Sequence, residues 1–259
     1  MDILIGEKIH GRLNNKNAQI IMLQTVDSTN RYLKSVSDEN TPEFTVVIAE
    51  NQTAGRGRFA RKFYSPENCG IYMSVLLKPQ FDILDSVLLT AAAAVAVSDA
   101  VEELSGKKTE IKCVNDVLIN SKKVCGILCE GVINTKIARL DSVILGIGIN
   151  VYKPKNDFAE EIKDIATFVY ENDIPDGRNA LVSRVINNFE NYYNALENRT
   201  FLEKYIARSA VVGKNISVLR GEETLEAKAL EIDENCRLKV MYEDGKTEYL
   251  SSGEVSIRL

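Results

Sequence analysis

Residues 55–62 read GRGRFARK and place Arg56, Arg58, Arg61 and Lys62 close together in a chain whose formal charge is −5. Arginine offers a rigid fork of donors that grips planar or tetrahedral oxyanions at two points. Gly55 and Gly57 let the backbone approach a ligand, so the segment suits a phosphate or a carboxylate. By charge alone it also reads as a solvated basic loop or a protease-sensitive one. It is not a P-loop, because G-x-x-x-x-G-K-[ST] is missing from the chain. Asn115 and Asp116 fall between two short apolar runs, where an ordinary turn is the simpler local reading. Lys122 and Lys123 open the following run, and spacing does not choose between a lysine in solvent and one in a pocket opposite Gly146 and Gly148. His10, the single histidine, has no serine or cysteine nucleophile pattern nearby and is not read as a general base.

The elements that must position these groups follow from hydrophobic period. A helix is expected near residues 29–37, with Ser28, Thr29 or Asp27 accepting its free amides. FTVVIA at 44–49 and IYMSVLL at 71–77 read as strands flanking a long polar loop over 50–69. Asp85 to Leu104 is Ala- and Leu-rich and reads as the central helix. Short strands are expected at 111–114, 117–119 and 124–129, the last two joined by a hairpin turn through Asn120, Ser121 and Lys122. VILGIGINV at 143–151 puts Gly146 and Gly148 on one strand face, which suggests that something approaches the backbone there. Helices are expected over 178–197 and 201–207. From residue 212 the texture changes to short strands, predicting a small all-β barrel on a mixed domain.

Composition bounds the possibilities. With 259 residues, 45% hydrophobic and 27% charged, the chain is an ordinary globular protein of one or two domains, and disordered and collagen-like classes are excluded. The acidic balance leaves no overall basic excess for nucleic acid or an anionic membrane. The longest apolar run, Val87 to Val97, is far shorter than the roughly 20 residues of a membrane span. The start, MDILIGEK, lacks the basic and apolar regions of a secretory signal, so a cytoplasmic location is expected. Cys69, Cys113, Cys125, Cys129 and Cys236 contain no C-x-x-C pair and read as reduced, mostly buried thiols.

The pieces also occur together and in order: DSTN at 27–30, QTAGRGRFARKFYSP at 52–66, KCVND at 112–116, KKVCGILCEG at 122–131, LGIGINV at 145–151 and GEVSIRL at 253–259. This set resembles the biotin protein ligases over nearly the whole chain. The resemblance implies an α+β fold, with a mixed β-sheet and helices like those of class II aminoacyl-tRNA synthetases and biotin ligases, plus a small C-terminal SH3-like β-barrel. It implies a biotin- and ATP-binding catalytic domain over 1–210 and the barrel over 211–259. The implied reaction has two steps, formation of biotinyl-5′-AMP from biotin and ATP with Mg2+, then transfer of biotin to a lysine of a carrier domain in a carboxylase or decarboxylase.

Carried over by motif, Ser28, Thr29, Asn30 and Gln52 would line the biotin head-group pocket, with Gly126, Gly146 and Gly148 beside it. Gly55, Arg56, Gly57 and Arg58 would order over biotin and the adenylate, and Lys123 would contact the carboxylate or the adenylate linkage. Arg56, Arg58 and Lys123 are the expected catalytic set. Arg58, Arg61, Phe63, Asn115, Asp116 and Asn150 are the expected ATP set, Phe63 standing where the family often holds a tryptophan and stacking on adenine. Cys113 and Val114 replace the Trp-Pro of the family's Lys-Trp-Pro-Asn-Asp motif, a change expected to loosen the biotin site or alter its ligand preference. Only about 26 residues precede DSTN, so a monofunctional ligase without a DNA-binding domain is expected. Relatives commonly dimerise through sheet edges, and monomer and homodimer both stay open. The rival readings are a lipoate or octanoate ligase or transferase, and a binding protein without chemistry.

Overall fold

The structure is a computed structural model that describes residues 2–79, 86–134, 139–221, 223–250 and 256–258. A mixed seven-stranded sheet carries the molecule. Its strands are β1 (Gln19–Val26), β2 (Thr45–Gln52), β3 (Gly70–Leu77), β4 (Glu110–Lys112), β5 (Asp116–Ile119), β6 (Lys122–Asn134) and β7 (Arg139–Asn150). They lie in the order β1-β2-β3-β7-β6-β5-β4. Only β1 and β2 run parallel; the other neighbours are antiparallel.

Period-2 alternation sorts the central strands onto two faces. Val46 and Ile48, then Ile71, Met73, Val75 and Leu77, then Leu145, Ile147 and Ile149, join one large core. That face is covered by α3 (Ser86–Ser105) and α4 (Gly177–Asn194), which pack against each other. Ala91 to Val97 are fully buried, and alanines let α3 approach the sheet closely while favouring the helix. Among the described residues no helix is long and apolar enough to cross a membrane.

The opposite face has a smaller cover. Under α2 (Thr29–Val36), Leu33 packs with Val47, Leu76 and Ile144 in a separate cluster. Beyond that cluster the same face is built from small and polar residues in cross-strand rows. Ser74 pairs with Gly146 and Gly146 with Leu128; Tyr72 pairs with Gly148 and Gly148 with Gly126. These rows form the floor of a cavity.

Most expected elements are present, with three differences. Two that patterning left unassigned, α1 (Gly6–Arg12) and β1, precede DSTN. The strand before the arginine segment continues through Gln52, and residues 56–62 fold into a narrow turn closed by a bridge between Arg56 and Lys62. The helix at 29–36 has no side-chain cap from Ser28, and Asp27 Oδ1 accepts from the amide of Ser28 ahead of the helix. Gln52 Oε1 accepts from the Thr29 amide at 2.9 Å instead, because the parallel register sets Val26 opposite Gln52.

After the short helix α5 (Leu202–Ala207), strands β8 (Asn215–Arg220), β9 (Glu223–Ile232), β10 (Leu238–Tyr242), β11 (Thr247–Leu250) and β12 (Ser256–Arg258) make an antiparallel sheet in the order β11-β10-β9-β8-β12. The C-terminal unit is thus an antiparallel sheet, and among the described residues no pairing joins β11 to β12 to close a barrel. Of the GEVSIRL ending only residues 256–258 are described, and Asp85 of the expected central helix also lies outside the described residues.

Candidate active site

The cavity on the open sheet face has a volume of about 760 Å³. Among the described residues six basic side chains line it, Arg56, Arg58, Arg61, Lys62, Lys112 and Lys123, against the single carboxylate of Asp116. In a chain of net charge −5 this concentrates positive potential where an anion would enter.

Lys123 reaches the cavity because of an irregularity in pairing. Strict alternation from Cys125 and Ile127, which face the core, would send Lys123 to the core side too. The β5–β6 register shifts at this point: Leu118 pairs with Lys123, whereas Val117 pairs with Cys125. The extra residue, Val124, acts as a β-bulge and turns Lys123 onto the face of Gly126. Lys123 Nζ ion-pairs with Asp116 Oδ1 at 2.7 Å and lies 5.9 Å from the centre of the Phe63 ring. Lys122 is exposed.

Arg58 is half-buried. Its Nη1 donates to Asn115 Oδ1 at 3.2 Å, and Nη2 is buried with no hydrogen-bond partner among the described residues. Burial lowers the pKa of this guanidinium from its ordinary value, and the Asp116 carboxylate opposes that shift. Asn115 is held in turn, its Nδ2 donating to the Ile127 carbonyl at 3.1 Å. The pair Asn115 and Asp116 therefore belongs to the site wall and not to an isolated turn. Asn150 lines the cavity and donates to the Thr167 carbonyl at 3.0 Å.

A polar ring crosses the floor. Gln52 Oε1 accepts from the Thr29 amide and from Thr29 Oγ1 at 3.2 Å, and Gln52 Nε2 donates to Ser65 Oγ at 2.9 Å. Ser65 Oγ donates to the Phe63 carbonyl at 3.0 Å. On the other side, Ser74 Oγ donates to Asn30 Oδ1 at 2.6 Å, with Thr29 Oγ1 2.8 Å away. Asn30 Nδ2 donates to Glu130 Oε2 at 2.8 Å and, at 3.4 Å, to the Leu128 carbonyl. Glu130 Oε1 then meets Arg56 Nη1 at 3.4 Å. The ring thus begins at Arg56, within the arginine segment, and ends at Phe63, the residue that follows it. Ser28 is buried and lines the cavity beside it.

Gly146 and Gly148 are needed for close approach, and the approaching groups are the protein's own side chains. A Cβ at Gly146 would collide with Asn30 Oδ1, and one at Gly148 would lie 2.5 Å from the Phe63 ring. Phe63 therefore lies over Gly148 and Gly126, edge-on to Tyr72 at 6.4 Å. That position is among the expected head-group residues rather than beside Asn115.

Sequence patterning did not single out Ser65, Tyr72, Ser74 or Glu130, nor the segment Ile162, Ile165 and Ala166, which lines the cavity and hydrogen-bonds to Lys123 through the Ile165 carbonyl at 2.7 Å. Cross-strand rows reveal Tyr72, Ser74 and Glu130, and the hydrogen bond from Gln52 reveals Ser65 in the loop before β3; the last three lie in a stretch without period. Cys113 lines the cavity, and burial pushes its thiol up to about 11.

Known proteins share this sequence pattern and fold. Residues 22–150 match the Biotin/lipoate A/B protein ligase family and residues 211–258 the Biotin protein ligase C terminal domain. The Bifunctional ligase/repressor BirA of Bacillus subtilis is 45% identical over 148 residues, 57% of this chain. That match spans only 45% of the Bacillus protein's length. The biotin–[acetyl-CoA-carboxylase] ligase of Mycobacterium tuberculosis is 33% identical over 225 residues, 81% of this chain and 77% of that protein. The solved biotin protein ligase of Aquifex aeolicus in complex with biotin and ATP superposes with a TM-score of 0.74 at 32% identity, over 93% of this chain and 98% of that one. With the family's two regions matched in order and the fold shared along nearly its whole length, the chain belongs to the biotin protein ligase family.

Proposed function

We propose that the chain activates biotin with ATP as biotinyl-5′-AMP and transfers the biotinyl group to a lysine of a carrier domain in a biotin-dependent carboxylase or decarboxylase. One observation carries the choice of acid. On the cavity floor Gln52 retains one amide hydrogen and Asn30 retains one lone pair after their protein partners are counted. A cyclic urea offers a carbonyl to the first and an N–H to the second. A dithiolane or an alkyl chain offers neither and would leave both groups buried and unpaired.

In the first step a biotin carboxylate oxygen attacks the α-phosphorus of ATP and pyrophosphate leaves. Lys123 and Arg56 would bring the carboxylate to the phosphate against their mutual repulsion, and the unpartnered Nη2 of Arg58 would donate to oxygens that gain charge in the transition state. In the second step the neutral amine of the acceptor lysine attacks the acyl carbon and AMP leaves. Asn115 holds Arg58 in place, and Arg61, Asn115, Asp116 and Asn150 form the nucleotide side. Phe63, by its position, would pack on the head group more readily than on adenine.

Among the described residues no group of three acidic, cysteine or histidine side chains could cage a metal. Asp116 alone suits a magnesium ion that arrives on the triphosphate and keeps most of its water ligands. That ion would supply charge neutralisation at the phosphates. The catalytic unit is proposed to cover 1–210 and the C-terminal unit 211–259.

The test is pyrophosphate release by the purified protein with ATP and magnesium, comparing biotin, lipoate and octanoate, with Arg58→Gly as control. Release with biotin alone, altered in the control, is the expected result. Release with lipoate or octanoate would move the activity to the neighbouring branch, and binding of biotin without release would leave a binding protein.

A further inference from the structure

We propose that Glu130 is the positioning residue that makes the cavity select a head group bearing an N–H. The inference rests on the biotin reading above and identifies what in this chain enforces it. Glu130 stands on β6 opposite Ile144, one row beyond the Leu128–Gly146 row over which Asn30 lies. A carboxamide can present either its oxygen or its nitrogen to a neighbour, and the Ser74 hydroxyl could serve either, because it accepts as well as donates. An ionised carboxylate only accepts. Glu130 Oε2, 2.8 Å from Asn30 Nδ2, is therefore the stronger of the two acceptors, with the Leu128 carbonyl at 3.4 Å, that fix the nitrogen at its own end and the oxygen towards Ser74.

The consequence is a defined polarity. Both amide hydrogens of Asn30 are committed, to Glu130 and Leu128, and the one valence left for a ligand is a lone pair on Oδ1. Asn30 is only 4% exposed, so a ligand without an N–H leaves that acceptor dry and unpaired, the situation in which polar sites discriminate most strongly. The other oxygen of Glu130 faces Arg56, so the carboxylate that orients the floor also tethers the arginine segment above it.

The experiment exchanges the polarity of the pair and is read by biotin binding in calorimetry and by KM and kcat for biotin-dependent pyrophosphate release. Glu130→Ala should raise Kd and KM for biotin about tenfold or more, with a smaller change in kcat at saturating biotin, where loss of the Arg56 contact would register. It should also narrow the preference for biotin over its mono-N-methyl derivatives. Asn30→Asp should weaken biotin by facing two carboxylates, and adding Glu130→Gln should restore affinity to within about threefold of the parent, because the new carboxamide at 130 donates to the new carboxylate at 30. A pair that merely supported the fold would, on reversal, recover its denaturant midpoint without ever having separated KM from kcat.

An unchanged KM in a normally melting Glu130→Ala protein would overturn the proposal, as would a paired variant no better than Asn30→Asp; the second comparison stands even where Glu130→Ala does not fold. Biotin binding by the parent protein together with either of these results removes the role of Glu130 alone. Failure of the parent to bind biotin removes the biotin reading and this inference together.

Discussion

Gly148 shows how much of the site rests on a missing side chain. A methyl group there would press on the Phe63 ring at 2.5 Å, a distance no packed carbon adopts, and Phe63 would be pushed into the space above the floor. Gly148→Ala is expected to weaken biotin at least about tenfold with a smaller loss of stability, about 1–3 kcal/mol, measured by calorimetry and denaturant titration. Single thiols also leave a mark on pH dependence. Cys236 is buried, and burial pushes its pKa up from 9.0 to about 12. Below pH 9 the thiol is protonated in both folded and unfolded chains, so its contribution is fully present. Between pH 9 and about 12 the unfolded chain loses the proton and the folded one keeps it, so stability falls as pH rises. The loss should approach about 1.4 kcal/mol per pH unit for this thiol, and Cys236→Ala should flatten the alkaline limb of the stability profile.

The start of α2 depends on a strand that is distant in sequence. Gln52 supplies the acceptor that Ser28 does not, and it also ties Ser65. Gln52→Leu should therefore cost about 1–2 kcal/mol in stability by leaving the Thr29 amide uncapped, and should weaken biotin beyond what that destabilisation explains. Residues 55–62 form the other element whose behaviour can be tested. Gly57 N donates to the Arg61 carbonyl at 2.7 Å and Phe63 N to the Gly55 carbonyl at 2.9 Å, which gives the turn a backbone of its own. Its arginines are still accessible, with the Arg56 side chain 46% exposed, and like charges crowd one another there. Trypsin should cut this segment in the free protein and more slowly with biotin and ATP present. Equal rates would remove the idea that ligand orders it.

The molecule is also held together by a buried ionic clamp whose groups do not line the cavity. Arg178, fully buried at the start of α4, donates to Glu50 Oε2 at 2.7 Å, to the Gly70 carbonyl at 3.2 Å and to the Asp2 backbone carbonyl. Asp2 Oδ2 accepts from the Arg178 amide at 2.6 Å and from Tyr152 Oη at 2.8 Å. The clamp fastens the N-terminal segment to β2, β3 and α4, on the helix-covered side of the sheet. Arg178→Met would leave Glu50 buried without its cation and should destabilise the protein by about 3–5 kcal/mol, seen as a lower midpoint in denaturant. Activity per folded molecule should be preserved, because none of these groups lines the cavity.

What could be read along the chain was local. Strand and helix periods located β2, β3, α3, β7 and α4 to within a few residues, since burial on one face imposes period directly. The ordered motifs indicated the family and the arginine-rich segment, because side-chain chemistry needs no fold to be recognised. The rest depended on which strands become neighbours and in what register. The Val124 bulge decides that Lys123 faces Asp116, and parallel pairing of β1 with β2 brings Gln52 to a helix start more than twenty residues earlier in the chain. α1 carries Gly6 and Gly11 and buries only Ile9, so propensity and period are both weak, and it is stabilised by packing on α4. Glu130 looked like any charged residue in a strand until antiparallel pairing of β6 with β7, and of β7 with β3, set it next to Asn30. Such placements are non-local: hydrogen-bond register across the sheet sets them, and one residue's shift reverses the face on which a side chain emerges.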